Sequence, residues 1–337
     1  MPWMLFLLSA VVIVVAGTKL SQYGDRIAEH TGLGGLWIGV VLMAGATSLP
    51  EVFTTVSAAL LNAPDLAVGD LLGAGLSNML TLGIIDLLHR QKRVWQQAAF
   101  EHTLVAVLAV ALTGLAGLFI VLKPSVALWG VGLDTLLIAG IYVLGMRVVY
   151  RHEDMRRREK ERERVVEAEE AAHRARASGA ALRRASVGFA VASVAILLAA
   201  PLLAVSAKEI AEATGISTTF IGTSLVAITT SLPELVTSLA AVRLGAFDLA
   251  VGTLFGSNAF NMGALVFADV AYGPGTLLSA VSPVHTVTAL WAILLMNVGL
   301  MGIIYRAEKR FMLIEPDSAL MIVGYGLGMW LLFRVGG

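Results

Sequence analysis

Apolar residues occur along the chain in runs of about 20, which short polar or charged stretches separate. A helix of this length crosses the roughly 30 Å of hydrocarbon in a bilayer. The strands of a membrane barrel would be shorter and would alternate between apolar and polar residues. We therefore predict an all-α integral membrane protein with ten transmembrane helices, near residues 3–20, 34–60, 65–88, 102–122, 125–149, 186–207, 217–243, 247–271, 284–305 and 317–334.

Two of these apolar runs contain the same polar motif. The sequence from Thr47 to Glu51, Thr-Ser-Leu-Pro-Glu, recurs from Thr230 to Glu234. A charged side chain at the centre of a bilayer costs about 3 kcal/mol on insertion scales, so an intramembrane glutamate indicates a functional site.

The motif belongs to a longer repeat, in which residues recur 183 positions later, as Asp65 does at Asp248. The repeat predicts two copies of one unit, residues 1–149 and 186–337, joined by a linker at 150–185. Each copy has five predicted helices, and since five is odd, the second copy would enter the membrane from the opposite side. The predicted architecture is two inverted five-helix repeats, as in many secondary transporters.

Composition agrees with an integral membrane protein. The chain is 57% hydrophobic and 14% charged, with a mean hydropathy of +0.81. A formal net charge of zero gives no indication of nucleic acid binding, and the expected surroundings are the lipid bilayer. Zero cysteines exclude disulfides and thiolate metal sites. The pattern makes no prediction about the oligomeric state.

The distribution of lysine and arginine predicts the orientation in the membrane. With the N-terminus outside, most cations fall in cytoplasmic connections, so we expect both termini outside a plasma (inner) membrane. The first apolar run lacks a basic segment before it and a cleavage site after it, which favours a retained helix. The cytoplasmic linker at 150–185 carries charges of both signs. It is either a hydrophilic connection or a segment that regulates transport or binds anionic lipid.

The repeated motifs predict broken helices that expose oxygen atoms. Proline removes a backbone donor and clashes with the preceding turn, so the helices should kink at Pro50 and Pro233. Hydroxyl, carbonyl and carboxylate oxygens suit Na⁺ or Ca²⁺, whereas zinc and copper favour histidine and cysteine. Simple pairing of the glutamates with buried cations is disfavoured, because these helices carry no lysine or arginine nearby. The candidate ligands in the motifs are Thr47, Ser48, Glu51, Thr230, Ser231 and Glu234.

The next helix of each copy adds amides and small residues. The segments 69–78 and 252–261 align in the repeat, and small side chains there allow close helix approach. Positions 70, 74 and 78 share one helix face, as do 253, 257 and 261. Asn78 and Asn261 would bind a cation or bridge helices. Asp70 corresponds to Thr253 in the repeat. It would line the access path or carry a proton, or else be a helix cap or an interfacial residue.

Other titratable residues are expected at helix ends. Asp65 and Asp248 stand at predicted helix starts, where capping is favoured over ion binding. Asp86 and Asp269 are expected at the interface or along the path. His285 is expected at the membrane interface rather than in a proton relay.

The paired motifs resemble the alpha-1 and alpha-2 repeats of the cation/Ca²⁺ exchanger superfamily, specifically its prokaryotic sodium/calcium exchanger branch. The resemblance covers essentially the whole ten-helix chain. It implies alternating access between the two copies, with both glutamates as shared ligands of Ca²⁺ and Na⁺. By motif matching it also assigns to the site Thr47, Ser48, Thr230, Ser231, Asn78 and Ser257, together with the carbonyls of Ala44 and Ala227 as Na⁺ ligands.

The chain departs from the family pattern at several positions. Asn261 stands where many prokaryotic members carry aspartate. In this respect the chain resembles the potassium-independent animal exchangers. Ala74 replaces the serine of the usual Gly-Ser-Asn, which removes one hydroxyl. These changes bear on ion stoichiometry and leave the transporter assignment intact.

The expected function is secondary antiport of Na⁺ and Ca²⁺. The alternative is proton-coupled exchange of Ca²⁺ or another cation, which Ala74 and Asp70 make credible. A passive channel is disfavoured by the two-fold design. An enzyme is not expected, because the sequence has no His-Glu-x-x-His motif and no serine–histidine pair at membrane depth. No cofactor is expected, and the inorganic cations Na⁺, Ca²⁺ or H⁺ would be transported substrates.

Overall fold

The computed structural model describes residues 2–31, 44–88, 102–163, 179–243, 245–305 and 316–336, and these residues are nearly all helical. Seven helices in this part of the chain are long and apolar enough to cross a membrane, or eight if one bent pair forms a single span. The prediction of a helical membrane protein is therefore confirmed.

The structure assigns helices and one short hairpin to the described residues. In chain order they are α1 (Pro2–Thr31), α2 (Leu49–Leu60), α3 (Pro64–Leu88), α4 (His102–Leu122), β1 (Ala127–Leu128), β2 (Val131–Gly132), α5 (Leu133–Glu163), α6 (Gly179–Thr214), α7 (Thr218–Ile221), a π-helical turn (Gly222–Val226), α8 (Ala227–Thr230), α9 (Leu232–Arg243), α10 (Phe247–Ala271), α11 (Leu277–Ala280), α12 (Val284–Tyr305) and α13 (Pro316–Gly336).

The expected start of one helix at residue 125 is wrong. A short antiparallel hairpin of β1 and β2 precedes α5, which begins at Leu133. The hairpin turn has Trp129 at φ 53° and Gly130 at φ 85°, a left-handed conformation that a helix cannot accommodate. Of the helix expected at 34–60, residues 34–43 lie outside the described part of the chain.

The kinks expected at the motif prolines are confirmed. Residues 44–47 are helical, and a turn at Ser48 separates them from α2. Ser48 has φ −86° and ψ 3°, and Ser231, between α8 and α9, has φ −85° and ψ 1°. The pair formed by residues 218–230 and α9 is bent by 40°. The π-helical turn in this pair was not expected from the sequence.

Helices α3 and α10 form the centre of the molecule, and most of their residues are buried. Close packing against α3 depends on glycine. A Cβ atom at Gly73 would clash with the backbone of Thr223 in the π-helical turn, and one at Gly69 would lie 3.1 Å from the Thr223 nitrogen. Small residues therefore let the two backbones approach, as in other membrane helix pairs.

Helices α1 and α6 pack against each other and form a second, smaller core. It contains Leu20, Ala192 and Ile196. A Cβ atom at Gly17 would lie 3.3 Å from the Pro50 ring and 2.5 Å from the Pro233 ring, so α1 contacts both motif prolines. The α1–α6 pair thus borders the region where the two motifs meet.

Candidate functional site

The two motif glutamates are fully buried and meet across the two copies of the repeat. The Ser231 hydroxyl donates to Glu51 Oε1 at 3.1 Å, and the Ser48 hydroxyl donates to Glu234 Oε1 at 3.4 Å. These bonds are equivalent under the 183-residue repeat, with the serine of each copy contacting the glutamate of the other. Among the described residues, the second oxygen of each glutamate has no hydrogen-bond partner.

The local sequence explains why each glutamate lies where it does. Each occupies the first turn of a helix, α2 or α9, directly after the motif proline. Proline fits the first turn of a helix, where its missing N–H has no intrahelical role. The positive end of the helix dipole also favours a carboxylate there.

The motif threonines reach different partners in the two copies. The hydroxyls of Thr47 and Ser257 lie 3.4 Å apart, whereas the Thr230 hydroxyl donates to Asp70 Oδ1 at 2.9 Å. Thr47 also lies within hydrogen-bonding reach of Glu234.

The carbonyls of Ala44 and Ala227 each accept two hydrogen bonds from their own motif. Ala44 O accepts from the Thr47 hydroxyl at 3.1 Å and from Ser48 N at 3.0 Å. Ala227 O likewise accepts from the Thr230 hydroxyl at 3.2 Å and from Ser231 N at 3.0 Å. A carbonyl has two lone pairs, so a cation would have to displace one of these donors.

Asp70 is fully buried in α3, and neutral hydroxyls bind both of its oxygens. Thr55 donates to Oδ2 at 3.0 Å and Thr230 to Oδ1 at 2.9 Å. Asp70 is close enough to repel both Glu51 and Glu234 electrostatically. It therefore lies next to the other candidate residues, and because it stands beyond the first turn of α3, the interpretation of Asp70 as a cap is wrong.

Three buried asparagines lie on α3 and α10. Asn78 Nδ2 donates to Asn258 Oδ1 at 2.8 Å. Within the described residues, Asn78 Oδ1, Asn258 Nδ2 and both amide atoms of Asn261 have no partner. No hydrogen bond in this part of the chain joins Asn261 to the other candidate residues.

Asn258 was not among the predicted site residues. It follows Ser257 in a Gly-Ser-Asn sequence, and this motif could have indicated Asn258 as a site residue. The repeat did not indicate it, because its counterpart in the first copy is Gly75. Its bond to Asn78 fixes the plane of that amide.

The site combines buried carboxyl groups with neutral oxygens. All twelve predicted residues are buried, and none of the ion pairs among the described residues involves Glu51, Glu234 or Asp70. No group of three or more His, Cys, Asp or Glu in the described ranges is arranged to hold a metal ion. Two carboxylates with hydroxyl and amide oxygens around them provide the ligand chemistry of Na⁺ or Ca²⁺.

The other aspartates connect elements that are distant in sequence. Asp65 lies in the first turn of α3, but its Oδ1 accepts from Ser282 N at 2.6 Å and lies 3.3 Å from His285 Nε2. His285 is fully buried at the start of α12, and its place at the membrane interface stays a prediction. In the equivalent pair, His102 Nε2 lies 3.5 Å from Asp248 Oδ1.

Asp86 and Asp269 are buried and accept hydrogen bonds at the starts of other elements, and their expected place at the interface or along the path stays a prediction. Asp86 accepts from the Ser318 hydroxyl at the start of α13. Asp269 accepts from Gly132 N, from the Thr135 hydroxyl and from Leu277 N, each at 2.6 Å. Both aspartates therefore stabilise contacts between helix ends.

Residues 1–148 and 184–334 match the family described as sodium/calcium exchanger protein. An 80-residue segment is 32% identical to the uncharacterized membrane protein MJ0091 of Methanocaldococcus jannaschii. The match covers 23% of this chain and 26% of that relative, so it spans about a quarter of the relative's length.

The fold is similar to solved structures of the sodium-calcium exchanger NCX_Mj. In a form soaked with 100 mM Na⁺ and 10 mM Sr²⁺, the TM-score is 0.62 at 20% identity, over 98% of this chain and 97% of that one. In a form soaked with zero Na⁺ and Ca²⁺, the TM-score is 0.61 at 20% identity, over 98% of each chain.

Proposed function

The chain belongs to the sodium/calcium exchanger protein family, and we propose that it exchanges Na⁺ for Ca²⁺ by alternating access. The observation that carries the proposal is the pair of buried glutamates, each bound by the motif serine of the other copy. Two negative charges balance one Ca²⁺ or two Na⁺, so the same carboxylates can serve both ions in turn.

The proposed architecture is ten helices in two inverted repeats, residues 1–149 and 186–337, with 150–185 between them. The reciprocal contacts support it. The serine–glutamate pairs, the pairs of Asp65 with His285 and of Asp248 with His102, and the hydroxyl bonds of Asp86 and Asp269 all recur in the same 183-residue register. Such contacts join the two copies, so a movement of one copy against the other would open and remake them.

In this proposal Ca²⁺ binds between Glu51 and Glu234, with oxygens of Ser48, Ser231 and Asn78 nearby. The unpartnered carboxylate oxygens support this placement, since burying them without a cation is costly. Asn261 is retained as a candidate ligand.

The proposed Na⁺ positions lie on either side of the glutamates. One uses Thr47, Ser257 and the Ala44 carbonyl, and the other uses Thr230, Asp70 and the Ala227 carbonyl. The hydrogen bond from Thr230 to Asp70 supports a specific role for Asp70, in which its carboxylate replaces the hydroxyl that Ala74 lacks.

The proposed location is a plasma (inner) membrane, with both termini outside and the linker at 150–185 in the cytoplasm. The chain has no cysteine, so single cysteines can be introduced at Lys123 and in the linker without background. A membrane-impermeant thiol reagent added to intact cells should label a cysteine at 123 and leave one in the linker unlabelled. The reverse pattern would invert the proposed orientation.

Transport by the purified chain in proteoliposomes tests the function. Vesicles loaded with Na⁺ and diluted into Na⁺-free medium should take up labelled Ca²⁺, whereas vesicles with choline on both sides should not. Uptake driven by a pH gradient without Na⁺ would replace the proposal with the proton-coupled alternative. Uptake without any counter-ion gradient would indicate a channel.

A further inference from the structure

A continuous apolar groove lies between α1 and α6, on the face of α1 away from the motif prolines. Its wider part, about 510 Å³, is lined by Val15, Lys19 and Tyr23 of α1 and by Gly188 and Val191 of α6, among others. A second part of about 340 Å³ continues it towards Leu5 and Leu202. Both parts share Val12 and Ala195. From Tyr23 to Leu5 the groove follows about 27 Å of helix, more than the roughly 15 Å of one hydrocarbon leaflet.

The chemistry of the groove wall suits a hydrocarbon chain. Val11 is 60% exposed and Val191 is 64% exposed, which in a membrane protein means contact with lipid. The nearby hydroxyls bind carbonyls of their own helices, Ser9 to Leu5 O at 2.8 Å and Ser193 to Phe189 O at 3.0 Å. They therefore create no demand for a polar occupant.

One end of the groove is basic. Lys19 is exposed, and its Nζ donates to the neutral amide of Gln22 at 3.2 Å. Because α1 and α6 run antiparallel, exposed Arg183 and Arg184 lie near the same end, about one turn before Gly188, as does exposed Arg26. The other end is lined by leucines. This asymmetry favours a negatively charged headgroup at the Lys19 end.

Tyr23 closes the groove beside the basic end. A Cβ atom at Gly188 would lie 2.5 Å from Tyr23 Cζ, so the glycine is needed for the ring to lie across α6. Tyrosine suits the boundary between hydrocarbon and headgroups, because its ring is apolar and its hydroxyl is polar.

We propose that this groove binds one anionic phospholipid, with an acyl chain between Val15 and Val191 and the phosphate at Lys19. A basic residue near the membrane surface contributes about 1 kcal/mol to the attraction of anionic lipid, equivalent to roughly fivefold in affinity. A zwitterionic lipid has the same acyl chains but no net negative charge, so it should bind more weakly.

Native mass spectrometry of the purified chain, with phosphatidylglycerol or phosphatidylcholine added to the detergent, tests the charge requirement. The wild type should retain one phosphatidylglycerol in preference to phosphatidylcholine, and Lys19→Gln should lower its affinity for phosphatidylglycerol about fivefold. The matched control is Lys123→Gln, which removes an exposed lysine outside the groove and should change nothing. Equal retention of both lipids by the wild type, or equal losses in the two variants, would overturn the proposal.

A second pair of variants tests the acyl-chain position. Val191→Phe fills the groove and should weaken phosphatidylglycerol binding, whereas Val194→Phe, on the same helix but outside the groove, should not. Both positions are exposed, so both variants should melt near the wild-type temperature. Identical lipid binding by the two variants would refute the groove as the site. Binding of soluble glycerol phosphate as tight as that of the lipid would refute it as well.

Discussion

The two copies of the repeat build the candidate site from the same motif but from different second helices. In one copy, the Thr47 hydroxyl lies 3.4 Å from the Ser257 hydroxyl on α10. In the other, position 74 is alanine, and the Thr230 hydroxyl donates to Asp70 one turn earlier on α3. A carboxylate has thus taken the place of a hydroxyl on one side only.

The symmetry of the fold therefore does not make the two sides of the candidate site chemically equal. A carboxylate carries a full negative charge, and hydrogen bonds to charged groups are stronger than those between neutral groups. The Asp70 side should therefore hold a monovalent cation more tightly than the Ser257 side. Changes at equivalent positions in the two copies can test this asymmetry.

The largest effect on transport is expected from substitution of the motif glutamates, which both copies of the repeat contain. Glu51→Gln and Glu234→Gln each keep the side-chain size and remove half of the charge that the glutamates offer to Ca²⁺. Each variant should lose Na⁺-driven Ca²⁺ uptake in proteoliposomes, while Glu212→Gln, an exposed change on α6, should keep it. Wild-type uptake by either motif variant would contradict the proposed function.

Substitution of Asp269 is expected to destabilise the protein more than substitution of Asp86. Asp269 accepts three short hydrogen bonds, whereas Asp86 accepts one from Ser318 among the described residues. Asp269→Asn should reduce the free energy of unfolding by about 2 to 3 kcal/mol, and Asp86→Asn by about 1 kcal/mol. Melting temperatures in one detergent measure both, and a larger loss for Asp86→Asn would reverse the comparison.

Asp70→Asn should lower the apparent Na⁺ affinity at least about tenfold, since the bonds that a charged group makes contribute about 1.5 to 3 kcal/mol. The isosteric change Thr253→Val, at the equivalent position of the other copy, should have a smaller effect. The Na⁺ dependence of Ca²⁺ release from loaded vesicles measures both. If the two variants lose affinity equally, Asp70 has no special part in Na⁺ binding.

The smallest effect is expected from restoring the missing hydroxyl. Ala74→Ser should raise the apparent Na⁺ affinity slightly, because Asp70 already supplies an oxygen, whereas Ser257→Ala should lower it several-fold. In an Asp70→Asn background, Ala74→Ser should recover part of the lost affinity. The Na⁺ dependence of Ca²⁺ release and its Hill coefficient measure these affinities. If Ala74→Ser recovers no Na⁺ affinity in the Asp70→Asn background, the Asp70 carboxylate does not replace the hydroxyl that Ala74 lacks.

The sequence predicted the helical membrane protein, the family and the two broken helices. These predictions follow from local features. Long apolar runs specify spanning helices, proline removes a backbone donor wherever the helix lies, and the paired motifs indicate the family. The 183-residue register also related the two motifs before any contact between them was visible.

The packing of the helices determines which hydrogen-bond partners the buried polar groups have. Thr230 bonds to Asp70 and Asn78 bonds to Asn258, although the partners are far apart in sequence. The same holds for the contact between Asp65 and His285 and for the bond from Thr135 to Asp269. Periodicity specifies the face of a helix on which a side chain lies, but not the helix that packs against that face. A buried polar group takes its role from its nearest donors and acceptors, because unpaired burial is costly, and only the packing of the helices determines which groups those are.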